Sequence, residues 1–255
     1  MVSAKALYGD TFVVKLFQHI AVMKISLTDR PVSFPKIFGV LLGFPALATL
    51  ISLLLLNRSL ITNLGLDFFN TFWLIITFWY ALQIFLIRKI LKNSDWSWSD
   101  IGFTLSGKRT AYLILGYLVV AFLLMGFIEM ALANSDVDAE KMKAISSLTP
   151  KTTTARIIFI VMGLFAGIAE ELVYRGFAIH ALISQKVNKW LAVLIASIPF
   201  VFQHGLKSLD QFWWFFIWGL VFGVMLLKLK SLTVNIIIHW LVILSAMVAV
   251  LSVLE

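Results

Sequence analysis

Cysteine is missing from all 255 residues, which excludes a disulfide framework, a thiolate metal site and a cysteine nucleophile together. Charge is scarce as well. Asp, Glu, Lys and Arg make up 13% of the chain against 61% hydrophobic residues, and mean hydropathy is +0.97. That composition cannot clothe a soluble domain in a hydrated surface, so the bilayer is the expected solvent. The first 35 residues also lack the compact basic region, apolar core and small-residue cleavage site of a signal peptide. A formal charge of +8 is no sign of nucleic acid, because the Lys and Arg residues fall almost entirely in short connections between apolar runs. That placement is a topology signal, and no nucleic-acid partner is expected.

What the sequence has is long apolar runs. A hydrocarbon core about 30 Å thick takes about 20 helical residues to cross. Runs at about 36–56, 68–87, 110–133, 155–183, 190–204, 209–227 and 232–254 meet or approach that length. The expected fold is all-α: a polytopic membrane bundle of about seven transmembrane helices, one domain over 36–255. Ahead of it, 1–35 reads as an interfacial segment. Lys15, Gln18, His19 and Lys24 are interspersed there with apolar residues and read as the polar side of an amphipathic helix. With the N-terminus inside, inner segments hold fourteen of the 21 Lys and Arg and outer ones six, the bias of an N-inside protein. Gly219 and Gly223 have the small-xxx-small spacing of close helix packing.

A charge at the bilayer centre costs roughly 2.5–3.5 kcal/mol even on a lenient scale, so an ionisable group inside a span needs a partner, a water-filled cavity or a task. Glu129 sits near a span end and can reach the interface. Glu170, Glu171 and Arg175 lie inside the fourth span, His204 ends the fifth, and His239 lies within the seventh. On an α-helix Glu171 and Arg175 face one side in the favourable order for an ion pair, while Glu170 is rotated by about 100°. Glu170 therefore needs another partner, and His204 and His239 are available. A carboxylate, two imidazoles and a cation are the composition of a hydrolytic site. At 1.5 Å per residue, a fifth span starting at the inner surface carries His204 too far outward. The catalytic reading therefore expects that span to be tilted, bent near Pro199 or started deeper.

These residues resemble the type II CAAX prenyl endopeptidases, the CAAX protease and bacteriocin-processing family of intramembrane proteases. The family's EExxxR reads here as Glu170-Glu171-Leu172-Val173-Tyr174-Arg175, its FxxxH as Phe200 to His204, and its last histidine as His239. The resemblance covers about 154–254, with a weaker echo at Asp100-Ile101-Gly102-Phe103. It implies hydrolysis of a peptide bond by activated water, with Glu170 as base and His204 binding the water. It also implies that His239 stabilises the oxyanion and that Glu171 and Arg175 brace the helix. One position departs: where the family has Asn or Asp four residues after the last histidine, this chain has Ile243. Asn235, one turn before His239, is the nearest replacement amide. No cofactor is expected, since no HExxH pair is present; zinc at Glu170, His204 and His239 is the alternative. The implied partners are the lipid bilayer and a peptide or protein tail, lipidated in some members. The implied setting is a prokaryotic cytoplasmic membrane. A catalytically silent immunity or scaffold protein is the competing function, kept open by Ile243. A proton-coupled transporter would need inverted repeats, and no internal repeat is evident.

Overall fold

The computed structural model describes residues 27–104, 107–132 and 149–254. The described residues are all-helical, 84% of them in helix and none in a strand. Among the described residues, seven helices of 14 residues or more follow in order: α1 Phe34–Leu56, α2 Phe68–Lys92, α3 Gly107–Leu132, α4 Thr153–Ser184, α5 Lys189–Phe202, α6 Phe212–Leu229 and α7 Leu232–Leu254. They stand at the seven expected positions. Five of them, α1, α2, α4, α6 and α7, are long and apolar enough to cross a membrane, whereas α5 and the apolar stretch Thr110–Val120 of α3 are shorter. Large apolar side chains face outward all around the bundle, among them Leu42, Phe78 and Phe122. In hydrocarbon this surface carries no penalty. The protein is a polytopic membrane bundle. The interfacial segment 1–26 with His19, the connection 133–148 and the Glu129 side chain lie outside the described residues.

Local chemistry starts and stops the helices. The Asp67, Thr152 and Asn188 side chains accept backbone N–H bonds at the starts of α2, α4 and α5, satisfying donors that a helix leaves free. The α2 C-terminus carries Lys89 and Lys92, matching the negative end of its dipole. One end of the bundle is then tied together by its connections. Gln185 Nε2 donates to the Val32 carbonyl at 2.7 Å, Trp96 Nε1 to the Arg30 carbonyl at 3.0 Å and Lys36 Nζ to the Asn93 carbonyl at 3.1 Å. The Asp100–Phe103 echo belongs to this knot. Asp100 closes a capping box with Ser97, Gly102 turns at φ +80°, and its carbonyl accepts the first N–H of α7 at 2.7 Å. The start of α7, and with it the height of His239, is thereby fixed.

Glycines set the closest approaches. A Cβ on Gly219 would lie 2.9 Å from Ser197 Cβ, and one on Gly223 would lie 2.6 Å from Val193 Cγ1. The Gly219/Gly223 stripe is thus the seam between α6 and α5. A second seam went unread in the sequence: Gly167 brings α4 against the α7 backbone, where a Cβ would stand 3.3 Å from the Ile236 carbonyl and the Trp240 nitrogen.

Two departures from regular geometry shape the site. Within α4, the stretch Glu171–Ile179 is π-helical and wholly buried. Its hydrogen bonds span five residues instead of four, so each residue turns through less than the 100° of an α-helix. The uniform α-helix expected through Arg175 is corrected accordingly. The second departure is α5, whose 14 residues extend only about 21 Å. The chain leaves the helix after Phe202 and turns at Gly205, φ +80°, into a short 3-10 helix, Leu206–Gln211. His204 sits in that turn, at the end of a helix too short to span the core.

Candidate active site

Glu170 closes the α-helical part of α4 and is 1% exposed. Its Oε1 accepts a hydrogen bond from the Tyr80 hydroxyl of α2 at 2.6 Å. His204 Nε2 lies 3.6 Å from Oε1, and His239 Nε2 lies 3.6 Å from Oε2. Both separations are too long for a direct hydrogen bond, and Oε2 has no hydrogen-bond partner among the described residues. Three helices and one turn thus bring Glu170, His204, His239 and Tyr80 to a single point.

The other ring nitrogens decide what the imidazoles offer. His204 Nδ1 is 3.1 Å from the Phe200 carbonyl and His239 Nδ1 is 2.9 Å from Glu171 Oε1. Both oxygens are acceptors, so each Nδ1 carries the hydrogen and each neutral ring turns a bare Nε2 lone pair toward Glu170. Aromatic rings hold the orientation: Phe215 stacks on His204 at 4.0 Å between centroids, and Phe222 on His239 at 4.9 Å.

Glu171 has the opposite surroundings. Arg175 Nη1 lies 3.1 Å from Oε1, beside His239 Nδ1, and Asn235 Nδ2 donates to Oε2 at 3.1 Å. The same amide donates to the Phe222 carbonyl at 2.8 Å, so both its hydrogens are engaged and Asn235 faces Glu171, away from Glu170. Arg175 is itself buried, its guanidinium 4.0 Å from the Phe200 ring centroid and 5.5 Å from that of Phe222. One carboxylate of the adjacent pair is therefore bound up by a cation, an amide and an imidazole, and the other is left with a single phenolic donor.

The site forms the floor of a cavity of about 430 Å³ between α2, α4, α6 and α7. Phe159, Met162, Ala166 and Glu170 line it from α4, and His239, Ile243, Met247 and Val250 from α7. Each stripe covers about 16 Å of helix, apolar except at the Glu170 end. Ile243 packs into the notch of Gly163, where a Cβ would stand 3.0 Å from its Cγ2. For a metal, the two imidazoles address opposite oxygens of one carboxylate, and Glu171 is occupied. Among the described residues no group of three or more His, Asp or Glu is arranged to hold an ion.

Tyr80 is the contact that sequence reasoning missed. Its signal was a hydroxyl twelve residues into a span that starts at Phe68, hidden among aromatic neighbours that read as lipid-facing. Gln83, fully buried one turn further along α2 with neither amide atom hydrogen-bonded, escaped notice in the same way.

Residues 152–244 match the family model described as type II CAAX prenyl endopeptidase Rce1-like. The matched stretch carries Glu170, Glu171, Arg175, His204, Asn235 and His239. The searches of curated proteins and of solved structures returned no match.

Proposed function

From the family pattern in residues 152–244, we propose that the chain is an intramembrane endopeptidase in which Glu170 activates a water molecule. One observation carries this reading: a buried carboxylate with a bare Oε2 and two imidazole lone pairs turned toward it, at the floor of an apolar cavity. A water seated there gives one hydrogen to Oε2 and the other to an Nε2, and aims its own lone pair into the cavity. Glu170 takes the first proton as the water oxygen bonds to the peptide carbonyl carbon. It returns that proton to the amine nitrogen as the C–N bond breaks. His204 holds and polarises the water. His239 Nε2 is an acceptor, because its Nδ1 hydrogen is given to Glu171 at 2.9 Å. Glu171, Arg175 and Asn235 keep this ring in place, and no metal takes part.

The substrate is a peptide or protein tail at the membrane, prenylated if the family's activity carries over, with its apolar portion in the cavity. The end of the bundle bearing Lys36, Arg88, Lys89, Lys92, Lys186, Lys189, Lys228 and Lys230 lies on the cytoplasmic side of a prokaryotic membrane, by the positive-inside rule. A silent scaffold is the second reading. It draws on Ile243, an apolar packing residue where an amide is expected.

Purified protein in proteoliposomes, given internally quenched peptides with and without a prenylated CAAX terminus, separates the two. Glu170→Gln and His204→Ala should each lower kcat/KM by about 10²–10⁴-fold, with wild-type accumulation in the membrane. No cleavage by the parent protein would favour the scaffold, and wild-type rates in either variant would overturn the role assigned to that residue. Activity abolished by a chelator and restored by zinc would overturn the metal-free mechanism.

A further inference from the structure

A tetrahedral intermediate on a peptide carbonyl needs a hydrogen-bond donor at its oxyanion, and the groups assigned above are short of one. Both imidazoles present Nε2 as an acceptor, because their Nδ1 hydrogens go to Phe200 and Glu171. The Asn235 amide spends both hydrogens on Glu171 and the Phe222 carbonyl. Ile243 adds only methyl and methylene groups to the cavity wall. Among the described residues, the one neutral donor in contact with Glu170 is the Tyr80 hydroxyl, at 2.6 Å. Tyr80 also lines the cavity beside His204 and His239, and its ring is 7% exposed, held by α2 packing against α4.

We propose that Tyr80 is a catalytic residue and supplies the oxyanion donor in the place where the family pattern has an amide. The inference rests on the endopeptidase reading. In the resting site the phenol donates to the Glu170 carboxylate. When Glu170 takes the water proton its charge disappears, and the negative charge now stands on the former carbonyl oxygen. The phenol hydrogen bond follows the charge from Oε1 to that oxygen. Tyr80 keeps its proton throughout: the water proton goes to Glu170 and then to the amine, and the carbonyl π pair returns as the C–N bond breaks. A donor that is committed in the ground state and released at the moment of charge transfer favours the transition state over bound substrate.

Tyr80→Phe keeps the ring and deletes the donor. With the peptide panel above in proteoliposomes, its kcat should fall by about 10²–10³-fold while KM stays within about threefold, a split that a packing defect would not produce. A Tyr80→Phe kcat within about fivefold of wild type, with Glu170→Gln inactive, overturns the role of Tyr80 and leaves the endopeptidase standing. Retained activity in Glu170→Gln removes Glu170 as the base, a parent protein that cuts no peptide removes the endopeptidase, and either result removes the Tyr80 proposal with it. Should Tyr80→Phe fail to accumulate, 3-fluorotyrosine at position 80 preserves the shape and changes the donor strength. A kcat that moves with fluorination at constant KM supports the proposal, and an unchanged kcat overturns it.

Discussion

Replacing Arg175 by Met tests whether the cation is there for Glu171. The guanidinium stands 3.1 Å from Glu171 Oε1, with the two side chains 2% and 0% exposed, so no water can take over the charge. Met fills much of the same space against Phe200 and Phe222, which leaves the unpaired carboxylate as the main loss. Breaking a buried pair by removing one partner costs about 3–5 kcal/mol, a large share of the 5–15 kcal/mol typical of a folded domain. Glu171→Gln in the same chain removes the stranded charge and keeps one carbonyl oxygen to accept from His239, so the double variant should recover part of that loss. The assay is equilibrium unfolding in mixed detergent micelles followed by circular dichroism, run as a double-mutant cycle. Arg175→Met within about 1 kcal/mol of wild type, or a double variant no more stable than the single one, would refute the pairing argument.

Gly167→Ala drives a methyl toward the Ile236 carbonyl and the Trp240 nitrogen, both at 3.3 Å; main-chain atoms cannot rotate away, so α4 and α7 must separate. The expected loss is about 1–3 kcal/mol, with a fall in cleavage rate as Glu170 and His239 part, while Gly39→Ala, which meets nothing within 4 Å, should be neutral or slightly stabilising in the same thermal melts. Outside the spans, burial pushes the Asp100 carboxyl up, but hydrogen bonds from Ser97 and the nearby Arg30 outweigh it and hold the group below the usual carboxylate range. The unfolded chain then binds the proton more readily, so the contribution of Asp100 is fully present above about pH 3.9 and disappears as acid titrates the folded form. Asp100→Ala should cost about 1 kcal/mol at pH 7 and progressively less below pH 4; a deficit that grows on acidification would contradict this sign.

The parts of the molecule that could be read from the sequence are those that hydrocarbon penalises. Each ionisable residue inside an apolar run is conspicuous singly, which is why Glu170, Glu171, Arg175, His204 and His239 stood out and why the structure could be asked whether they meet. The remainder depends on features that carry no such mark. A phenol within an aromatic-rich span resembles an interfacial anchor, so Tyr80 gave no warning of its bond to Glu170. The π turn cannot be seen in a hydrophobic pattern, because four- and five-residue spacings differ little over two turns of a wholly buried segment. The height of His204 was a conflict in the arithmetic of a full span; α5 ends at Phe202, and His204 in the turn after it still comes within 3.6 Å of Glu170. Asn235 was placed on the correct helix face, but adjacency on a face did not say which of two neighbouring carboxylates it would meet.

That last distinction explains why the site holds two adjacent carboxylates. Two bare charges side by side in a low-dielectric core would compete for protons, and neither would be a defined base. Arg175, Asn235 and the Nδ1 hydrogen of His239 converge on Glu171, so its charge is held by the fold. Glu170 receives only the Tyr80 phenol and keeps one oxygen bare. His239 touches both regimes: its Nδ1 is fixed by Glu171, and that contact sets its Nε2 as a lone pair 3.6 Å from Glu170. Without Glu171 the ring could carry its hydrogen on Nε2 instead and donate to Glu170, occupying the oxygen that the water needs. In the proposed mechanism the braced carboxylate therefore acts at one remove, by choosing the tautomer that leaves its neighbour free to take a proton.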